Sequence, residues 1–255
     1  GNVDAITELV ELGSQVNLLD KSGCSPLFYA VKNGHVDAIR TLSELGADVN
    51  LCDNLGSTSI MHAAERGHGE AIRALAAAGA NVNTPDNDGY TPVHVAARCG
   101  HVLAIRVLVE LGANVNTPDS RGVSPVYTAA FRGNSDVIHA LVELGADVNC
   151  LANDGSSPLH SATHEGYVDT IRTLVALGAD VNLADNHGNT AMFVASMIGS
   201  ADVIRALYAL GADVNTPLAD CIDPDIVGVI PLHIAACQGN VDAITELVEL
   251  GSQVN

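Results

Sequence analysis

Residues 84 to 116, TPDNDGYTPVHVAARCGHVLAIRVLVELGANVN, alternate polar punctuation with two short apolar stretches. Asp86-Asn87-Asp88-Gly89 is a tight-turn signal, because Asp and Asn bond their own backbone and Gly takes positive φ at no steric cost. Thr91-Pro92 starts a helix, with the hydroxyl as cap and Pro at the first helical position. Gly100 stops that helix. His101 opens a second one, in which Val102, Ile105, Leu108 and Val109 make an apolar stripe at helical spacing, and Gly112 supplies the left-handed residue that ends it.

The pattern recurs. Asn17, Asn50, Asn83, Asn116, Asn149, Asn182 and Asn215 lie 33 positions apart, each closing a variant of Leu-Gly-Ala-Asp-Val-Asn. A fixed period of that length marks a solenoid in which each repeat touches only its neighbours. Counted from the Val-Asn ends, the chain holds a half repeat (1–17), six repeats (18–50, 51–83, 84–116, 117–149, 150–182, 183–215) and a 40-residue repeat (216–255). The expectation is one array over 1–255, all-α with short β-hairpin fingers and no central core.

The first-helix phrase has seven variants, at Ser25-Pro26-Leu27-Phe28, Thr58-Ser59-Ile60-Met61, Thr91-Pro92-Val93-His94, Ser124-Pro125-Val126-Tyr127, Ser157-Pro158-Leu159-His160, Thr190-Ala191-Met192-Phe193 and Ile230-Pro231-Leu232-His233. With the finger, the Gly-His helix break and the closing Val-Asn phrase, the whole chain resembles the ankyrin repeat. The resemblance implies an ankyrin-repeat α-solenoid of about seven and a half repeats. Departures are local: Phe28, Met61, Tyr127 and Phe193 replace the usual His, Ser59 and Ala191 replace Pro, and Ile230 replaces the capping hydroxyl. Those first helices are expected to be looser at their starts by up to about 1 kcal/mol each.

Charge changes the picture of partners. A formal charge of −19 repels phosphate backbones and anionic lipid headgroups, so neither nucleic acid nor a membrane surface is expected as a partner. No stretch approaches the roughly 18 apolar residues of a membrane span, and Gly1-Asn2-Val3-Asp4 lacks the basic region of a secretory signal. Cys24, Cys52, Cys99, Cys150, Cys221 and Cys237 fall at scattered phases without a Cys-x-x-Cys pair, and are expected to be free, mostly packed thiols. They favour a reducing, cytoplasmic setting, with an extracellular filament as the alternative.

No residue set points to catalysis, a cofactor or a small-molecule substrate, and Cys and His do not cluster at zinc-ligand spacing. The resemblance makes His94, His160 and His233 structural, each bonding backbone, while His35, His68 and His101 sit at second-helix starts. Acids at 37, 70, 136, 169, 202 and 242 occupy the first turn of second helices; Arg40, Arg73, Arg172 and Arg205 stand three residues beyond four of these positions, and Arg106 holds the same phase after Leu103. Local Asp-Arg pairing on a solvated face is expected, with weak repulsion between rungs of excess acid.

In ankyrin repeats, partners typically meet the finger tips and the first-helix positions after the Thr-Pro-Leu-His phrase. Carried over by position, these include Tyr29, Lys32, Arg66, Arg98, Phe131 and Arg132. They also include Val194, Met197, Ile198, Ile234 and Cys237, expected to form a contiguous apolar strip, and such exposed patches usually mark interaction sites. Between Asn215 and Ile230 the chain carries seven extra residues, a longer finger expected to project, with Asp220, Asp223 and Asp225 as partner contacts. Their spacing is not that of a calcium loop.

Residues 1–17, GNVDAITELVELGSQVN, recur unchanged as 239–255, whereas residues 34–50 share 11 of 17 positions with that segment. Such identity suggests a recent, homogenised or engineered copy, and fits a super-repeat of 238 residues cut from a longer protein. Both ends fall inside a repeat, without the polar outer face of a cap. Two function classes follow. One is a protein-binding module or scaffold using its concave face and fingers; the other is an architectural protein, a long array or a head-to-tail filament of copies of itself.

Overall fold

The computed structural model of the chain describes residues 2–218 and 228–252. The chain divides into two compact units, Gly1–Ser120 and Arg121–Asn255. The first holds α1 (Val3–Glu11), α2 (Pro26–Lys32), α3 (Val36–Glu44), α4 (Ser59–Glu65), α5 (Gly69–Ala77), α6 (Pro92–Cys99) and α7 (Val102–Glu110). The second holds α8 (Pro125–Phe131), α9 (Ser135–Glu143), α10 (Pro158–His164), α11 (Val168–Ala176), α12 (Ala191–Ile198), α13 (Ala201–Ala209), α14 (Pro231–Cys237) and α15 (Val241–Glu249).

Within each unit the helices form two layers. In the first unit α2, α4 and α6 pack in succession, backed by α1, α3, α5 and α7; in the second, α8, α10, α12 and α14 are backed by α9, α11, α13 and α15. The stripe at helical spacing faces inward: Leu27, Ile39, Ile60, Ile72, Leu75, Ile105 and Leu108 are fully buried in the first unit, and Ile138, Leu141, Leu159 and Ile171 in the second. Each such side chain contributes about 1.5–3 kcal/mol of burial. Ala63, Ala64, Ala71, Ala96 and Ala97 fill the remaining contacts with no exposed surface, which lets short helices approach closely.

The finger hairpins are very short. Among the described residues the strand content is two isolated antiparallel bridges, Cys52 with Thr58 and Ala184 with Thr190. An aspartate at the finger base does the work instead: Asp53 Oδ1 accepts from Leu55 and Ser57 N–H at 2.9 Å each, and Asp53 N–H donates to Ser57 O at 3.0 Å. Such Asx-type bonding closes the loop before a ladder can extend.

First-helix caps survive most departures. Ser25, Thr58, Ser124 and Thr190 each accept from the N–H three residues on, so replacing His, or the Pro at 59 and 191, leaves the cap intact. The loosening expected at five starts is confined to Ile230, which has no side-chain oxygen; its N–H still donates to His233 Nδ1 at 3.1 Å.

The period-marking asparagines are staples between repeats. Asn83 Oδ1 accepts from Asn114 N–H at 2.9 Å while its Nδ2 donates to Gly112 O at 3.1 Å. Asn17 and Asn50 make the same pair of bonds to the next repeat in the first unit, and Asn149 and Asn182 in the second. Each bonds the carbonyl of the glycine just past a second helix, tying that turn to the preceding repeat.

Rings at second-helix starts lie over the glycine that ends the preceding repeat's first helix. Gly67 has φ +69°, and a Cβ there would come within 2.8 Å of His101 Nδ1; His101 Nε2 lies 3.0 Å from Glu65 O. The expected local charge pairs form, Arg205–Asp202 at 3.1 Å among them, and pairs between repeats are added. The local pairs are long at Arg40–Asp37 (3.8 Å) and Arg73–Glu70 (3.7 Å), whereas Arg73 reaches Glu110 of the next repeat at 2.6 Å. A guanidinium at the edge of one helix faces its stacked neighbour, so the closest pairs join repeats.

Among the described cysteines Cys24 is buried and Cys150 half-buried, but Cys52, Cys99 and Cys237 are exposed, against the expectation of mostly packed thiols. These three sit in a finger or at the last turn of a first helix, where no stripe position buries them. Burial raises the Cys24 and Cys150 thiols above their ordinary range. Cys221 lies outside the described residues.

Candidate protein-interaction surface

First helices and fingers position the candidate contacts. The helix starts are capped by side chains: in α10, His160 Nδ1 accepts from Ser157 N–H at 3.2 Å and faces Ser157 Oγ at 2.8 Å. Its proton therefore sits on Nε2, which donates to Asn189 O in the next repeat at 2.8 Å. Burial pushes His160 below its ordinary pKa against the opposing pull of that bond and of Asp185 and Asp154. His94 makes the same reach-back, 3.1 Å from Thr91 N–H and 2.9 Å from its hydroxyl.

At the finger bases of the first unit, aromatic and imidazole groups join the turn aspartates. Tyr29 donates to Asp20 Oδ2 at 2.6 Å, and this bond, then the Cys24 N–H, holds Asp20 below the usual carboxylate value. The same contact raises Tyr29. His62 lies 3.2 Å from Asp53 Oδ2 and stacks edge-on with Phe28 at 4.1 Å between centroids.

In the second unit, Phe131 is 46% exposed, and the Arg132 guanidinium stands over its ring at 5.8 Å. Met197 and Ile198 end α12 at 41% and 37% exposure. In α14, which packs on α12, Cys237 is exposed and Ile234 half-buried. Val194 is only 8% exposed, so it is not a fifth exposed member of the expected strip. The same register position is buried at Val95, Thr128 and Ser161. Asn240 Nδ2 ties down the end of α12, donating to Ser196 O at 3.1 Å and Met197 O at 3.0 Å.

Asp220, Asp223 and Asp225 lie outside the described residues. Among the described residues no three His, Cys, Asp or Glu side chains gather as a metal site, and no helix is long and apolar enough to cross a membrane.

The missed elements were the asparagine staples and the cross-repeat Arg-Glu pairs. The unbroken 33-residue spacing of Asn was the available signal for the staples; nothing in the sequence marked which glutamate each arginine would meet.

A family model described as "Ankyrin repeats (3 copies)" matches residues 1–53, 45–119, 126–217 and 185–255, and one described as "Ankyrin repeats (many copies)" matches 100–142. This chain belongs to the ankyrin-repeat family. Its two-layered helix stack is an ankyrin solenoid in fold class. The ankyrin repeat domain of Bcl-3, described as a unique member of the IkappaB protein family, is 31% identical over 82% of this chain and 94% of its own, with a TM-score of 0.72. The human ASB11 ankyrin repeat domain is 26% identical, covers 91% of this chain and 100% of its own, and has a TM-score of 0.77. No curated protein sequence matches. Within each unit, ankyrin staples, caps and Asx fingers hold the helices whose first-helix ends are exposed.

Proposed function

We propose that this ankyrin array is a non-enzymatic protein-interaction module or scaffold that grips a protein partner through its first-helix face and fingers. The observation that carries this is the patch of Met197, Ile198 and Cys237, with Ile234 at its edge, on a stapled surface in the second unit. Apolar side chains held out at adjacent helix ends, with that of α12 tied down by Asn240, are pre-organised for contact and lose little entropy on binding. Phe131 with Arg132, and the finger aspartates Asp220, Asp223 and Asp225, are further contacts in this reading. The test is a photo-crosslinking residue placed at Ile198 and, as a control, at Leu103, which is 75% exposed on a second helix. Capture of a defined protein at 198 and not at 103 supports the reading; equal or no capture at both positions overturns it.

A second reading, an architectural array or head-to-tail filament with a 238-residue period, has one specific observation in its favour. The identical helices α1 and α15 use opposite faces. Leu9 is 56% exposed where its copy Leu247 is fully buried, while Val241 and Val248 are 70% and 44% exposed where Val3 and Val10 are half-buried. One such segment carries contacts for a repeat on either side, as a continuous array requires. Light scattering of the chain across concentrations tests the filament form: masses growing in steps of 26.2 kDa support it, and a constant monomer mass counts against it.

A further inference from the structure

Against a formal charge of −19, the first unit keeps one line of cations without ion-pair partners. Lys32 is the last residue of α2, Arg66 closes α4 and Arg98 lies in the last turn of α6; all three are exposed. Among the described residues none of the three has a carboxylate within ion-pair distance; Arg98 stands over the Tyr90 ring at 5.8 Å instead. The cations of the backing layer differ, since Arg40 pairs with Asp37 and Arg73 with Glu70 and Glu110.

Helix-dipole compensation does not account for the line. It would favour cations equally at the ends of α3, α5 and α7, yet those last turns contain no basic residue, and α3 and α7 end in Glu44 and Glu110. The acids nearest the line are meanwhile occupied. Asp20 and Asp53 close finger turns and bond Tyr29 and His62, Asp86 accepts from Asp88 and Tyr90 N–H, and Glu65 turns to His62 at 3.6 Å.

We propose that the row Lys32, Arg66 and Arg98 binds an extended acidic peptide segment of a partner protein. This rests on the reading of the first-helix face as a binding surface and names the chemistry that its first unit takes. The helices α2, α4 and α6 are packed neighbours, with Lys32 and Arg98 at one repeat phase and Arg66 one residue beyond it, so successive cations are spaced by roughly the 8–10 Å between packed helices. A polyproline II segment rises about 3.1 Å per residue with three residues per turn, so carboxylates at every third position recur on one side every ~9 Å. An acidic side chain at every third position of a Pro-containing segment therefore matches the row. At a screening length of about 8 Å, a short peptide on the row is shielded from the remote acids, whereas a long polyanion runs past the row onto them. That favours peptide over nucleic acid.

The experiment is a fluorescence-anisotropy titration of the 255-residue chain with a labelled peptide of about nine residues, Glu-Ala-Pro three times over, at low and physiological salt. The expected result is saturable, salt-weakened binding that falls at least about tenfold in the Arg66→Glu/Arg98→Glu double variant and is unchanged in Arg40→Glu. Circular dichroism checks that the variants remain folded; should the double variant unfold, Lys32→Glu alone serves. The inference is overturned by no binding, by equal binding of the Lys-Ala-Pro peptide, by equal loss in Arg40→Glu, or by tighter binding of an oligothymidine of the same length. If the peptide fails while the crosslink at Ile198 still captures a protein, this inference falls and the interaction reading stands.

Discussion

Arg205 on α13 clasps Glu246 on α15 at two points, Nε to Oε1 at 3.1 Å with a second contact from Nη2 to Oε2, and Glu246 is only 8% exposed. Glu8, its counterpart in the identical helix α1, is exposed. A planar guanidinium satisfies both carboxylate oxygens, which is what makes a nearly buried glutamate tolerable.

That contrast gives an internal control. Glu246→Gln is expected to lower the melting temperature by several degrees, and Glu8→Gln to leave it unchanged. Leu247→Ala should cost about 2–5 kcal/mol for a fully buried side chain, while Leu9→Ala, at an exposed site, should stay within about 0.5 kcal/mol. Equal effects within either pair, measured by thermal and urea unfolding, would contradict the assigned environments.

The asparagine staples are open to removal one at a time. Asn149 accepts from Asp180 N–H at 2.8 Å and donates to Gly178 O at 3.0 Å, so Asn149→Ala loses two bonds between repeats. A loss of about 1–2 kcal/mol in urea unfolding is expected, from about 0.5–1.5 kcal/mol per bond. Asn149→Asp, which keeps the acceptor alone, should fall between wild type and Ala.

Acid should weaken the His160 stitch. Burial lowers the folded-state pKa below the ordinary 6.5, so the unfolded chain binds the extra proton first. The stability contributed by His160 is thus complete above pH 6.5 and is lost as pH falls toward the folded value. The melting temperature of wild type should drop more steeply below pH 6.5 than that of His160→Gln. Parallel pH profiles would show that another group carries the dependence.

In α10 the hydroxyl of Thr163 is fully buried without a hydrogen-bond partner. Thr163→Val keeps the shape and removes the unsatisfied group, and a gain of about 1 kcal/mol in urea unfolding is expected. A loss instead would mean that the hydroxyl has a partner in solution.

Salt should stabilise the stack. With a formal charge of −19 and acids repeated along second helices, raising ionic strength from low to physiological screens repulsion between neighbouring repeats. The expected rise in melting temperature is checked by calorimetry; a flat or falling trend would mean that cross-repeat pairs such as Arg73–Glu110 outweigh the repulsion.

Much of this was legible in the chain. The period of Asn17 through Asn215, the hydroxyl-Pro helix starts and the glycine stops determined helix pairs and their boundaries, because caps, turns and helical stripes depend on residues only a few positions apart. The exposed ends Met197, Ile198 and Cys237 were also found by register, since a solenoid places the same phase on the same face. Tertiary structure decided what depends on the neighbouring repeat: that Val194 is buried, that Asn83 bonds Gly112, and that Arg205 takes Glu246 more closely than Asp202 at 3.1 Å. The clearest case is VDAITELVE, one sequence with Leu9 exposed and Leu247 buried. Its residues determine a helix wherever it stands, because helix formation is local, whereas which side of it meets water is decided by the repeats packed against it.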